Sequence, residues 1–79
     1  GFVNPPVYRG STVLVETADK LWNRAHPYTY GRTSTPTVRA LEEAIADVEG
    51  GAACALTASG YQAVSTAILT FVKSGDHIL

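Results

Sequence analysis

The sequence predicts an α/β fold in which the second half of the chain forms one βαβ unit. Residues 52–57 are an uncharged run that fits a short buried strand. Residues 60–73 carry apolar side chains at helical spacing, and a second strand is expected to begin within residues 75–79. Because βαβ connections are right-handed, the turn at Ser59 and Gly60 would lie at the carboxyl end of the first strand, where α/β proteins bind ligands.

A proline-opened helix precedes this unit. Thr35 can cap it, Pro36 suits its first turn, and Gly50 ends it. Its apolar stripe is formed by Val38, Leu41, Ile45 and Val48. We expect its charged residues, including the adjacent Glu42 and Glu43, to face solvent, and we assign the two glutamates no catalytic role.

The first part of the chain predicts little regular structure. Residues 1–15 contain two prolines and several β-branched residues, which indicates an extended arm. A short helix is predicted over residues 17–24, and residues 26–35 form a polar, aromatic loop of the kind that often carries function. We therefore divide the chain into the arm, helix and loop of residues 1–35 and the start of a ligand-binding domain over residues 36–79.

Composition narrows the class of protein. The 79 residues are 46% hydrophobic and 16% charged, which favours a folded chain over a disordered one. The formal net charge is −1 and the basic residues are scattered, so we expect no nucleic-acid partner. No apolar run approaches the roughly 20 residues that a membrane span needs, and no secretory signal opens the chain. These features predict a cytoplasmic protein with no membrane partner.

Cysteine and histidine offer little chemistry. Cys54 is the only cysteine, so the chain can form no internal disulfide, and we expect it to be a buried strand residue. His26 and His77 are isolated from each other in the sequence, and we predict no metal site. The chain also has no methionine and stops soon after the second predicted strand begins, which leads us to expect a segment of a longer protein.

Two segments carry groups that bind phosphate well. Arg32 offers a planar fork of N–H donors, and Tyr30 adds a phenol two residues away. Ser59, Gly60 and Tyr61 begin a helix whose first backbone N–H groups lack helical partners. Each feature alone has a structural explanation too, because a lone arginine can pair on the surface and serine is a common helix cap. Together they predict a phosphorylated cofactor, although no nucleotide-binding glycine motif is present.

Several short motifs occur in a characteristic order. They are Asn4-Pro5-Pro6-Val7-Tyr8, Ser11-Thr12-Val13, Tyr30-Gly31-Arg32, Pro36-Thr37, Leu41-Glu42, Val48-Glu49-Gly50, Ser59-Gly60 and Ser74-Gly75-Asp76. This order resembles the N-terminal pattern of the pyridoxal-phosphate enzymes of cysteine and methionine metabolism over nearly the whole chain. The resemblance implies the N-terminal part of a fold-type I, aminotransferase-like transferase fold, with an extended arm and the first βαβ unit of the large domain.

The resemblance also implies a cofactor, pyridoxal 5′-phosphate, and residues that hold it. Gly60 and Tyr61, next to Ser59, would donate backbone N–H groups to the cofactor phosphate. Tyr30 and Arg32 would reach the phosphate held by a neighbouring subunit, so the active site would need a dimer, and a homotetramer is expected. Tyr61 departs from the family pattern, in which methionine is usual, but backbone donation does not depend on that side chain.

The implied reaction is the β-elimination of cystathionine to homocysteine, pyruvate and ammonia, a carbon–sulfur lyase step of methionine biosynthesis. Tyr-Gly-Arg, where relatives often have Tyr-Ser-Arg, favours this branch of the family. Other family activities stay open, namely cystathionine or methionine γ-elimination, cystathionine γ-synthesis and O-acetylhomoserine sulfhydrylation. Neither Lys20 nor Lys73 lies in the motif of the cofactor-binding lysine, which we expect beyond Leu79, so this segment alone would lack the catalytic lysine. A noncatalytic phosphate-binding or interaction module is a more distant alternative.

Overall fold

The structure, a computed structural model, describes residues 1–79 and contains three α-helices and no β-sheet. Helix α1 spans Ala18–Trp22, α2 spans Pro36–Glu49 and α3 spans Gly60–Phe71. The only β-type pairing is an isolated antiparallel bridge between Thr12 and Tyr30. The three predicted helices are therefore confirmed, and they are joined by extended or turn segments.

The ends of α2 follow from local side-chain chemistry. The Thr35 hydroxyl accepts a hydrogen bond from the Val38 amide at 3.2 Å, and Pro36 occupies the first turn. At the other end Gly50 adopts a left-handed conformation with φ of +67°, which glycine tolerates without steric strain. The predicted capping residues are thus confirmed at both ends.

Helices α1 and α3 are also capped by hydroxyl side chains. Thr17 accepts from the Lys20 amide at 3.2 Å, and Ser59 accepts from the Gln62 amide at 3.1 Å. Helix α3 ends at Phe71, slightly before the predicted boundary. Both helices therefore begin where the sequence places a cap.

The predicted strands are not confirmed. Residues 52–57 and 75–79 form no ladder with any part of the chain. A strand is stabilised by hydrogen bonds to a neighbouring strand, and this chain offers no such neighbour to either segment. Cys54 is partly exposed, so its expected burial in a strand is absent here. The helix of the βαβ unit is present, whereas the unit as a whole stays a prediction.

The chain has no hydrophobic core of its own. None of its residues is buried, and its radius of gyration of 16.4 Å exceeds the roughly 12 Å expected for a compact domain of this length. On the apolar stripe of α2, Leu41 is 50% exposed and Val48 is 85% exposed. The amphipathic faces predicted from the sequence are present, but the chain covers them only in part.

A few hydrogen bonds between distant residues organise the chain. The Thr37 hydroxyl joins α2 to the N-terminal arm, and the Gly31 amide donates to the Ser11 carbonyl at 2.7 Å. The Glu42 carboxylate accepts from the Leu56 amide at 3.2 Å. Glu42 is a partial exception to the solvent-facing positions predicted for the charged residues of α2, because its side chain is half-buried and bonded to the segment that leads to α3.

None of the helices combines the length and apolarity needed to cross a lipid bilayer.

Candidate cofactor-binding site

The Tyr30–Arg32 loop is held in a tight turn by one carbonyl. The Tyr30 carbonyl accepts from the Thr33 amide at 3.0 Å, from the Ser34 amide at 3.2 Å and from the Thr33 hydroxyl at 2.8 Å. The bridge to Thr12 fastens the start of this turn to the arm. Tyr30 and Arg32 are therefore presented from an ordered backbone.

The glycine between them is required by a close approach of the arm. A Cβ atom at Gly31 would lie far inside van der Waals contact with the Gly10 carbonyl oxygen. The Gly10 oxygen is a backbone atom and the position of a Cβ is set by the backbone, so a rotamer change could not relieve the overlap. The glycine of the Tyr-Gly-Arg motif thus allows the arm and the loop to touch.

Arg32 lies over the ring of Tyr30, with its guanidinium carbon 5.1 Å from the ring centroid. Such a cation–π contact contributes about 0.5–1 kcal/mol at an exposed site. None of the ion pairs or hydrogen bonds within the chain involves the Arg32 guanidinium. The stacked ring therefore restrains the side chain while its N–H donors stay free for an external anion.

The second element is the turn that begins α3. The Gln62 side chain accepts from the Ala58 amide at 3.1 Å, while the Gln62 amide donates to Ser59. The Thr57 hydroxyl donates to the Ser59 carbonyl at 2.9 Å and ties the preceding segment to the turn. Two crossed bonds of this kind form a variant of the capping box and fix the start of the helix.

The first two amides of α3 have no partner within the chain. The N–H groups of Gly60 and Tyr61 donate to no acceptor, whereas the following amide is occupied by the Ser59 cap. No acidic residue lies in the first turn of α3, so the positive end of the helix dipole is uncompensated. Gly60 leaves open space where a side chain would be, and Tyr61 is 86% exposed. An anion can reach both amides.

The two elements do not meet within one chain. None of the hydrogen bonds, ion pairs or aromatic contacts joins the Tyr30–Arg32 loop to the Ser59–Tyr61 turn. A groove of about 300 Å³ beside the loop is lined by Tyr8, Arg9, Gly10, Thr12, Val13, Tyr28, Gly31, Ser34, Thr35 and Pro36, and none of these belongs to the turn. Each element therefore presents its free donors separately.

The residues present fit a phosphate ester. Such a group carries nearly two negative charges and three strong acceptor oxygens at neutral pH. The free guanidinium of Arg32 supplies charge and a planar pair of donors, and the two free amides at α3 supply donors at a positive helix end. The roles of Tyr30, Arg32, Ser59, Gly60 and Tyr61 in holding a cofactor stay predictions.

Two contributors to the site went unpredicted. Gln62 closes the capping arrangement at α3, and the signal was available, because Ser59 and Gln62 have the Ser-x-x-Gln spacing of a capping box. The Gly10 carbonyl, which dictates the glycine at position 31, left no signal in the sequence. Contacts between distant backbone segments depend on the folded path of the chain.

The chain's other reactive side chains form no site. The ring of His26 lies against the backbone of Tyr28, with its Nδ1 atom 2.6 Å from the carbonyl oxygen. No group of three or more histidine, cysteine, aspartate or glutamate side chains is placed to hold a metal ion.

Sequence comparison identifies the family. The family of Cys/Met metabolism PLP-dependent enzymes matches residues 1–79, the whole of the chain. The chain belongs to this family, which implies fold-type I, and its cofactor is pyridoxal 5′-phosphate. The family resemblance read from the sequence motifs is thereby confirmed. No solved structure matches the chain.

Individual relatives carry names from more than one reaction type. A Rhizobium johnstonii protein named "Putative cystathionine beta-lyase" is 49% identical, covering 100% of this chain and 20% of the relative. An L-alanine/L-glutamate racemase of Wolbachia pipientis wMel is 38% identical, and the match covers 100% of this chain and 23% of the racemase. An L-methionine gamma-lyase of Porphyromonas gingivalis is 39% identical, and the match covers 100% of this chain and 21% of the gamma-lyase. The chain thus spans about a fifth of the length of these curated relatives.

Proposed function

We propose that the whole protein is a carbon–sulfur lyase that cleaves cystathionine by β-elimination to homocysteine, pyruvate and ammonia. The observation that carries the proposal is the pair of free phosphate-binding elements, Arg32 stacked on Tyr30 and the unpartnered amides that begin α3. The choice of cystathionine is supported by the name cystathionine beta-lyase, which recurs among the relatives.

In this proposal the residues of the chain bind and orient the cofactor through its phosphate. The amides of Gly60 and Tyr61 donate to phosphate oxygens, and the Ser59 cap keeps the turn in the geometry that aims them outward. Tyr30 and Arg32 donate to the phosphate held by a neighbouring subunit. Each charge-assisted hydrogen bond is worth about 1.5–3 kcal/mol, so the arginine is the larger single contributor.

The role of this segment is therefore to position the cofactor. When bound, the cofactor supplies a ring that takes up the electron pair left as the substrate loses its Cα proton. Fixing the phosphate at two points fixes the position of that ring relative to the reacting atoms. The lysine that binds the cofactor covalently would be contributed by sequence following Leu79.

The product distinguishes the proposed reaction from its closest alternatives. The full-length protein, loaded with pyridoxal 5′-phosphate, is incubated with cystathionine, and the keto acid released is identified. Pyruvate is the expected product of β-elimination. Release of 2-oxobutyrate instead would indicate γ-elimination and contradict the proposal while leaving the cofactor site intact. A mock reaction without cystathionine controls for keto acids carried over from purification.

Another family activity is the second candidate, because some of the relatives are named for other reactions. Relatives named for methionine γ-elimination and for racemisation match the chain at 39% and 38% identity. Methionine and L-alanine are therefore offered as substrates in parallel assays, with methanethiol release and loss of optical rotation as readouts. Turnover of either compound faster than cystathionine would assign the protein to that activity.

The proposal includes a subunit arrangement. A site assembled from two subunits requires at least a dimer, and we propose a homotetramer of two such dimers in the cytoplasm. Light scattering of the full-length protein measures the mass of the assembly. A monomeric enzyme with full activity would contradict the shared site, and a native protein that ends at residue 79 would favour the noncatalytic alternative.

A further inference from the structure

The hydroxyl of Thr37 makes two hydrogen bonds to the N-terminal arm. It donates to the Pro6 carbonyl at 2.8 Å and accepts from the Tyr8 amide, also at 2.8 Å. These bonds join residues 31 and 29 positions apart in the sequence. One side chain in the first turn of α2 thus satisfies a backbone acceptor and a backbone donor of the arm.

The same arm contacts the phosphate-binding loop a few residues further on. The Ser11 carbonyl accepts from the Gly31 amide at 2.7 Å, and Thr12 pairs with Tyr30 in the isolated bridge. These bonds involve Tyr30 itself and the glycine between Tyr30 and Arg32, which form the stacked pair. The arm is therefore attached to α2 at one point and to the loop at another.

We infer that Thr37 is a positioning residue for Arg32, acting through the arm. Without its attachment to α2, the arm would lose the anchor that holds it beside the loop, because no buried side chain secures it. The loop would keep its local turn but lose the outside support at Gly31. Arg32 would then spend less time in the orientation that presents its donors to a phosphate.

Thr37 differs in this respect from other threonines of the helices. The Thr70 hydroxyl donates only to the Thr66 carbonyl at 2.7 Å, one turn earlier in its own helix. Such a bond links no separate segments. Thr70 is exposed on α3 and has no part in the proposed cofactor contacts, so it provides a matched control.

The inference rests on the proposed role of Arg32, and the first experiment separates the two. Amide hydrogen exchange is measured on the cofactor-free full-length protein for the parent and for the Thr37→Val, Thr37→Ser and Thr70→Val variants. Thr37→Val removes the hydroxyl at nearly constant volume, and about two- to tenfold faster exchange is expected at both Tyr8 and Gly31. Thr37→Ser and Thr70→Val are expected to exchange like the parent.

The second measurement follows the dissociation rate of the cofactor from the loaded proteins by its absorbance during dilution. Thr37→Val is expected to release it about two- to tenfold faster, with rescue by Thr37→Ser. Unchanged exchange at Gly31 in Thr37→Val would overturn the inference. Faster exchange with unchanged release would also overturn the inference if Arg32→Ala releases the cofactor faster, whereas unchanged release in Arg32→Ala as well would contradict the role of Arg32. If Thr37→Val fails to fold, deletion of residues 1–8 removes the same bonds, and unchanged exchange at Gly31 in that variant would overturn the inference.

Discussion

At the scale of single residues, the Arg32 side chain is held in place while its N–H donors stay unpaired. Its guanidinium is stacked at 5.1 Å on Tyr30, yet its donors are not used by any group of the chain. Arg39 is different, because it pairs with Glu43 at 3.4 Å on the surface of α2. An exposed i,i+4 pair of that kind contributes about 0.3–0.5 kcal/mol and explains the whole arrangement. The Arg32 guanidinium has its stacking contact with Tyr30 but no ion-pair partner within the chain.

Replacement of Arg32 tests this difference. We expect Arg32→Ala to weaken cofactor retention on the order of 10- to 100-fold, because charge-assisted bonds to phosphate are lost. Arg32→Lys keeps the positive charge but lacks the planar fork, so its cofactor retention is expected to fall between that of the parent and that of Arg32→Ala. Retention is measured by dialysis and absorbance. The cofactor-free variant is expected to stay folded, with its unfolding midpoint lowered only slightly by loss of the contact with Tyr30. Arg39→Ala is the control, and equal retention in Arg32→Ala and Arg39→Ala would contradict the assignment.

Gly60 allows a single backbone donor to be removed. It is the first residue of α3, where proline is favourable because the missing N–H has no helical partner. The preceding Ser59 has φ of −154° and ψ of 159°, a conformation compatible with a following proline. Pro36 already occupies the equivalent position of α2 behind a similar cap. A proline at position 60 should therefore preserve the helix while deleting one amide.

We expect Gly60→Pro to lower cofactor affinity on the order of tenfold, because one N–H bond to a charged acceptor is lost. Gly60→Ala keeps the N–H, and a Cβ at this position meets no atom of the chain. Its affinity should stay nearer to that of the parent, and its helix should be at least as stable. Equilibrium titration with pyridoxal 5′-phosphate measures both variants. If proline and alanine bind the cofactor equally well, the amide of residue 60 takes no part.

At the scale of elements, the features that depend on residues close together in the sequence could be predicted, and the helix ends are the clearest case. The ends of α2 follow from Thr35, Pro36 and Gly50, which act within one turn of the helix. The predicted strands depend on partners far along the chain or outside it, and no local signal could supply these. Glu42 illustrates the same limit, because its acceptor role depends on the Leu56 amide 14 residues away. The Ser59 cap and the free donors of the two candidate elements were predictable because caps and unpaired donors are local features.

The turn after α3 is an element with its own charge dependence. Its Asp76 carboxylate accepts from the Lys73 amide at 2.8 Å and from the Lys73 ammonium at 2.9 Å. The pKa of Asp76 is held below its ordinary value of 3.8, mainly by the hydrogen bond from the Lys73 amide and also by the one from the Lys73 ammonium. Gly75, with φ of +91°, allows the chain to close this turn.

The direction of this shift predicts a pH dependence. Because the pKa is lower in the folded state, Asp76 stabilises the turn fully above pH 3.8, and the stabilisation is lost as pH falls through the depressed value. The unfolding midpoint of Asp76→Asn should therefore lie below that of the parent at neutral pH, with the gap closing in acid. Asp47→Asn, an exposed change on α2, is the control. If the difference in unfolding midpoint between the parent and Asp76→Asn persists unchanged in acid, the ionised carboxylate of Asp76 is not the source of the stabilisation.

At the scale of the whole molecule, the chain exposes both its apolar faces and its anion-binding groups. No residue is buried, and the two candidate phosphate-binding elements share no contact and no cavity. An α-helix whose apolar stripe is uncovered gains little stability in water on its own. The exposed stripes and the separated elements are both accounted for if the functional unit includes more protein than these residues, with the two elements serving different sites.

A mixing experiment tests whether the site is shared between subunits. Arg32→Ala and Gly60→Pro each weaken every site of their own assembly, and each is expected to retain little cofactor. In a mixed dimer, however, one site receives Arg32 from one subunit and the intact amide of Gly60 from the other. Random pairing therefore restores about one quarter of the sites, because half of the dimers are mixed and each has one intact site of two.

The variants are unfolded and refolded together, and cofactor retained per subunit is compared with that of each variant refolded alone. Recovery to about a quarter of the parent value, together with recovered lyase activity, is expected for sites that combine two subunits. If Arg32 and Gly60 served the phosphate of their own subunit, no combination would contain an intact site, and the mixture would retain only the average of the two variants. The two arrangements therefore differ in the amount of bound cofactor, whichever reaction the enzyme catalyses.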